Sequence, residues 1–345
     1  MEARAADTAA VIAIGFITLA AFSIGQSVLE PVVFALFIIA LISPLQRALQ
    51  TRTPRPLALL VSVVVALAVM IALSSLIIWS GGEIVDWFIR NLDRVRASFA
   101  DATKWLEAHD IFVAALITEH FNAAWILAVI QAAATRVNIF IGFALVVLIY
   151  VIMGLAEAAG FEKKIAASRD EETARALLIA GARTASKLRR YMLVRTVASL
   201  ATGGLVFLFA LAIGLDLAAA WGVLTFALNY LPYIGPAVAT LLPALFAYAQ
   251  FDSGQTALVA LGVLSLVQLV IGSGLEPVFS GSALAMSPTV VVFSVLLWTF
   301  LWGLPGAFIG VPIAIAFLTI CDQFPSSRWV AQLLSDHGSA ERTPP

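Results

Sequence analysis

The sequence predicts an all-α integral membrane protein of about eight transmembrane helices, some interrupted, with an external amphipathic helical region. Three observations carry that prediction. Of 345 residues, 61% are hydrophobic and 12% charged, with a mean hydropathy of +1.00. Soluble domains run at about 25% charged, so a soluble chain of this composition could not cover its own apolar surface. Apolar runs long enough to cross a bilayer recur along the chain, and the loops between them alternate in basic content. These features exclude a soluble enzyme, a disordered protein and a nucleic-acid binder. One cysteine, Cys321, forbids an intramolecular disulfide.

A crossing helix needs about 20 mostly apolar residues. Thr8 to Leu29 supplies the first, with Glu30-Pro31 as the joint to a second over Pro31 to Leu49. Pro56 to Trp79 is a third, Val137 to Leu155 a fourth, and Thr196 to Leu215 a fifth. Beyond Leu215 the sequence stays apolar almost to its end, with weak breaks at Asp252, Glu276 and Pro305. The flank of the first run carries Glu2, Arg4 and Asp7 rather than a basic cluster, unlike a cleavable leader. The expected organisation is therefore three crossings over 1–80, an external amphipathic region over 81–135 and a fourth crossing over 136–156. A cytoplasmic basic helical segment follows over 157–195, then a carboxyl-terminal bundle over 196–321 and a cytoplasmic tail over 322–345.

Orientation follows from the loops, because Lys and Arg stay on the cytoplasmic side. Arg47, Arg52 and Arg55 stand after the second run without an acid between them. Glu157 to Arg195 holds nine basic residues against five acids, whereas Gly81 to Thr135 holds four against seven. Both termini are then cytoplasmic. Within the external stretch Trp87, Phe88, Leu92 and Val95 recur at helical spacing among Asp86, Arg90, Asp93, Arg94 and Arg96, the pattern of interfacial or capping helices. Glu171 to Arg195 reads as a basic helix lying against anionic lipid headgroups.

From Thr196 to Ser327 no Lys or Arg occurs, and only Asp216, Asp252, Glu276 and Asp322 are acidic. The three aspartates fall where apolar runs turn, as solvated loop ends. Glu276 lies in a small, polar, helix-breaking run from Ile271 to Pro288 and is the candidate coupling carboxylate. Glu30 shares its Leu-Glu-Pro-Val setting and is the second. An ionisable side chain at membrane depth costs at least about 2.5 kcal/mol and faces a cavity or a partner.

Leu217 to Gln250 and Ser287 to Ile320 are both 34 residues, too long for one untilted crossing. The first breaks at Asn229-Tyr-Leu-Pro-Tyr-Ile-Gly-Pro236, the second at Gly303-Leu-Pro-Gly306 and Gly310-Val-Pro312. Proline and glycine free backbone groups from the helix ladder, and such backbone survives at membrane depth only in protein or around water. Paired interrupted segments point to a transporter's binding site, so discontinuous helices are expected, in preference to two hairpins. The expected solute pathway comprises Asn229, Tyr230, Pro232, Tyr233, Gly235, Pro236, Gly281, Pro288, Gly306, Gly310 and Pro312. A bulky residue at Gly235 should then block transport without unfolding the protein.

The Asn229–Pro243 run resembles the signature of the autoinducer-2 exporter family of bacterial permeases. So do Glu276-Pro277 with Gly281, Ser287-Pro288, the Gly303–Pro312 stretch, and Pro31 with Pro44 in the second crossing. The likeness covers nearly the whole chain and departs at Tyr191-Met-Leu-Val-Arg195, where many members carry a Gly-Gln pair. It implies a multi-pass protein of the bacterial inner membrane and a homo-oligomer. The implied activity is export of a small polar solute such as autoinducer-2, a quorum-sensing signal, with monovalent cation–proton exchange proposed for some members.

Rival functions leave weaker marks. His109, His120 and His337 lie outside the crossings and lack zinc spacing, and no phosphate loop, nucleophile elbow or His-Glu-x-x-His motif occurs. No enzyme, metal, cofactor, nucleotide or nucleic-acid partner is therefore expected; membrane lipids and a small solute are. A sodium–proton antiporter would concentrate carboxylates in its crossings, and a purely structural membrane protein would need no interrupted helices.

Overall fold

A computed structural model describes residues 13–15, 17–107, 123–275 and 286–335. Every regular element among them is helical. In chain order these are α1 (Gln26–Gln50), α2 (Arg55–Arg90), α3 (Leu92–Glu107), α4 (Ala123–Ala166) and α5 (Glu171–Ala212). They continue with α6 (Ala218–Leu228), α7 (Ile234–Phe251), α8 (Gly254–Leu269), a π-helical turn (Val270–Leu275), α9 (Pro288–Gln323) and α10 (Arg328–Leu334). Seven described helices are long and apolar enough to cross a membrane, and shorter apolar helices accompany them. The chain is an all-α, multi-pass membrane protein.

Boundaries follow local chemistry, with two departures from expectation. The first joint lies at Gly25, not at Glu30-Pro31, and α1 runs unbroken through Pro31 and Pro44. Each proline removes only one backbone donor, and neighbouring helices tolerate that loss in a membrane bundle. The third crossing also overshoots, because α2 continues through Gly81 and Gly82 to Arg90 and takes the start of the external stretch into the same helix. Elsewhere the caps are ordinary. Asp170 accepts the Thr173 N–H at 3.0 Å at the start of α5, and hydrogen bonding to Thr173 holds its carboxyl below the usual range. Ser253 accepts the Thr256 N–H at 3.3 Å to open α8.

The chain divides into two compact units. One holds residues up to Leu67, Phe143–Met192 and the part from Gly281 onward; the other holds Ala68–Gly142 and Leu193–Ser280. In the first unit α1 packs on α4 through Ala35, Val147, Val151 and Leu155, and the Gln46 amide donates to the Leu155 carbonyl at 3.2 Å. Phe308 of α9 lies against Phe34 and Phe37 of α1. In the second unit Trp87 and Val95 join Val206, Trp221, Phe246 and Leu264 in one apolar cluster. Trp87 and Val95 of the expected amphipathic stretch thus face a core. Large apolar side chains elsewhere on the crossing helices, such as Val69, Ile71 and Ile78 of α2, stay exposed, as hydrocarbon solvent permits.

Candidate functional site

The two 34-residue segments fold back on themselves. In the second unit, the residues preceding α6 meet the end of α7: the Asp216 N–H donates to Gln250 Oε1 at 2.8 Å, and Gln250 Nε2 donates to the Gly214 carbonyl at 2.9 Å. One turn in from the base, the Trp221 and Phe246 rings are 5.1 Å apart. At the closed end Gly235 is pressed against α6, where an added Cβ would stand 1.8 Å from the Leu228 carbonyl oxygen. This is an antiparallel helical hairpin, not a discontinuous helix. Its base is tied to α2 and α3: Trp87 Nε1 donates to Asp216 Oδ2 at 3.0 Å, Tyr248 donates to the Ser98 carbonyl at 3.1 Å, and Arg94 donates to the Gln250 carbonyl.

The first unit builds the same device from α9. Gly303 leaves the helical region at φ 67°, ψ −144°, a conformation open in practice only to glycine, and splits α9 into 288–302 and 304–323. The Ser294 hydroxyl donates to the Gly310 carbonyl at 2.7 Å, a contact that a straight helix of about 1.5 Å rise per residue could not make across sixteen positions. A Cβ on Gly306 would stand 1.8 Å from the Trp298 carbonyl oxygen. The sequence expected discontinuous helices because proline and glycine breaks look alike in a kink and in a hairpin. Contacts between residues far apart in the segment decide it.

The predicted pathway residues fall into place unevenly. Asn229 is buried at 4% exposure and donates from Nδ2 to Ser199 Oγ at 3.3 Å, while Tyr230 donates its hydroxyl to Thr196 Oγ1 at 2.9 Å. Pro232 is buried in the turn, and Tyr233 stands 53% exposed with a positive φ of 62°. Gly235 and Pro236 open α7. In the other unit Pro288 opens α9, and Gly306, Gly310 and Pro312 are buried along its second half. Gly281 and Glu276 lie outside the described residues. Glu30 sits half-buried beside Pro31 in α1 and pairs with no described basic residue. Expectation missed Ser199, Thr196 and Gln250, isolated polar residues whose partners are remote in sequence. It also misjudged Gly235: a bulky side chain there meets backbone, so such a variant would disrupt the hairpin itself. Among the described residues no group of His, Cys, Asp and Glu is arranged to hold a metal ion.

Residues 11–326 match the family described as AI-2E family transporter. The chain belongs to the AI-2E transporter family. It is 28% identical over 333 residues to "AI-2 transport protein TqsA" of Escherichia coli, with 93% of each chain covered. It is 27% identical over 332 residues to "Putative transport protein" of Haemophilus influenzae, covering 94% of this chain and 95% of that one. This AI-2E family member is a membrane transporter, and its two glycine-closed hairpins occupy the segments that carry the family resemblance.

Proposed function

We propose that the protein is a secondary transporter that exports a small polar solute of the autoinducer-2 type by alternating access, without nucleotide. The observation that carries this reading is the first hairpin, which places Asn229 and Tyr230 beside Ser199 and Thr196 within an apolar unit. Buried polar side chains at membrane depth serve a pathway or a partner. Asn229, Tyr230 and Tyr233 are the solute contacts in this reading, with Pro232, Gly235 and Pro236 fixing the turn that presents them. Pro288, Gly306, Gly310 and Pro312 shape the second hairpin in this reading, and Gly281 is kept as a pathway residue by sequence alone. The relative named for AI-2 transport supports the solute class.

The charge bias of the loops supports a topology with both termini on the cytoplasmic side of a bacterial inner membrane. The base of the first hairpin is bonded to α2 and α3. At the base of the second, Asp322 lies 4.0 Å from Arg183 of the basic α5. Glu276 and Glu30 are the carboxylates proposed to couple the cycle to protons.

The test is movement of autoinducer-2 and of labelled sodium in proteoliposomes, with and without a pH gradient. Autoinducer-2 flux alone supports the exporter, and loss of its pH-driven part in Glu276→Gln with assembly intact assigns the coupling. Sodium flux coupled to protons would replace this reading with an antiporter. Movement of neither would reject the solute class.

A further inference from the structure

The α6 helix carries more polar chemistry than the tip of the hairpin uses. Trp221, Thr225 and Asn229 follow one another at intervals of four residues, so they share one face at steps of about 6 Å. All three are buried, at 2%, 1% and 4% exposure. Asn229 bonds to Ser199, but Trp221 Nε1 and Thr225 Oγ1 have no hydrogen-bond partner among the described residues. Trp221 belongs to the apolar core of the second unit, where its indole packs against Phe246. Valine would fill the shape of Thr225, and phenylalanine most of that of Trp221, without stranding a hydroxyl or a donor in an apolar interior. From Leu217 to Phe251 the hairpin contains no charged residue.

We propose that Trp221 and Thr225 are hydrogen-bonding contacts for a neutral, hydroxyl-bearing solute within the first hairpin, continuing the file of polar groups that ends at Asn229. The inference rests on the transport reading above and deepens it. It extends the solute path from the turn toward the base, and it assigns the solute's chemistry. An indole N–H asks for an oxygen acceptor, and a threonine hydroxyl matches a hydroxyl or a carbonyl. Neither α6 nor α7 carries a charge to hold a carboxylate, a phosphate or a cation beside Trp221 and Thr225, and the Arg195 charge lies toward Tyr230 at the tip.

The experiment compares Trp221→Phe, Thr225→Val and Thr225→Ser with the unaltered protein in two assays: thermal unfolding in detergent, and flux of autoinducer-2 and of erythritol in proteoliposomes. The expected result has two parts. Thr225→Val melts at or above the temperature of the unaltered protein, because the removed hydroxyl bonds to nothing in the fold, whereas Trp221→Phe also removes packed ring carbons and is compared by flux alone. Each nevertheless lowers flux at subsaturating autoinducer-2 roughly tenfold, the effect of one lost hydrogen bond, mainly through a higher half-saturating concentration. Thr225→Ser, which keeps the hydroxyl, retains most of the flux. A lower melting temperature in Thr225→Val would overturn the inference by showing that its hydroxyl serves the fold. Unchanged flux in the Phe and Val variants would overturn it while leaving the transport reading intact. An unaltered protein that moves neither probe would overturn both.

Discussion

The two hairpins close in the same way and turn in opposite ways. In each, a glycine near the start of the returning helix rests on a backbone carbonyl of the outgoing one: Gly235 on Leu228, and Gly306 on Trp298. The contact brings two helix backbones together without an intervening side chain, the packing that small residues permit in membranes. The turns differ. The second uses Gly303 in a glycine-only conformation, followed by exposed Leu304 and Pro305, with Trp302 donating to the Phe22 carbonyl at 3.1 Å behind it. The first buries Asn229 and Pro232 and holds Tyr233 at a positive φ, where a side chain is strained. A glycine at 233 would relieve that strain. The difference teaches that the second turn is built for closure alone, while the first carries side chains that closure does not require.

The largest effect should come from the shared contact. Gly235→Ala and Gly306→Ala each drive a methyl group into backbone, and each should cost on the order of 3 kcal/mol or more, read as the shift in thermal unfolding in detergent. A mild effect in one hairpin would break the equivalence of the two. The turns should then separate them. Gly303→Ala is expected to destabilise by about 1–3 kcal/mol, whereas Tyr233→Gly should stabilise by about 1 kcal/mol and still reduce autoinducer-2 flux several-fold. A Tyr233→Gly variant that is both more stable and fully active would remove the tyrosine from the solute path.

The polar ties should rank below these. Gln250→Ala opens the base of the first hairpin by removing two buried bonds, at a cost of about 1–3 kcal/mol in the same unfolding assay. Ser294→Ala removes one hydroxyl from the second hairpin and leaves the Gly310 carbonyl, so roughly 0.6 kcal/mol and unchanged flux are expected. Equal losses would mean that both hairpins depend on polar bonding to the same degree, against the contrast drawn above.

Much of this architecture was readable from composition and period. Apolar runs located the crossings, because hydrocarbon dictates their length, and the matched 34-residue segments with central Pro and Gly located the two interruptions. The direction of the chain after each break was not readable. A proline that kinks a helix and one that begins its return leave the same residues in sequence, and only pairs such as Asp216 with Gln250 or Ser294 with Gly310 tell them apart. The same limit hid much of the candidate site. Asn229 and Tyr230 stood out beside prolines, whereas Ser199, Thr196, Trp221 and Thr225 are single polar residues in apolar helices, and their importance lies in what surrounds them in space. The first joint was misplaced for a related reason: Pro31 is a conspicuous breaker, yet the helix passes through it and Gly25 turns instead.

The central claim is that solute recognition belongs to the first hairpin and not to the second. Single cysteines at Tyr233 and at Leu304, in a background where Cys321 is serine, can be labelled with a membrane-impermeant maleimide in the presence and absence of autoinducer-2. The account predicts that the solute slows labelling at 233 several-fold and leaves labelling at 304 unchanged. Protection at 304 with none at 233 would contradict it.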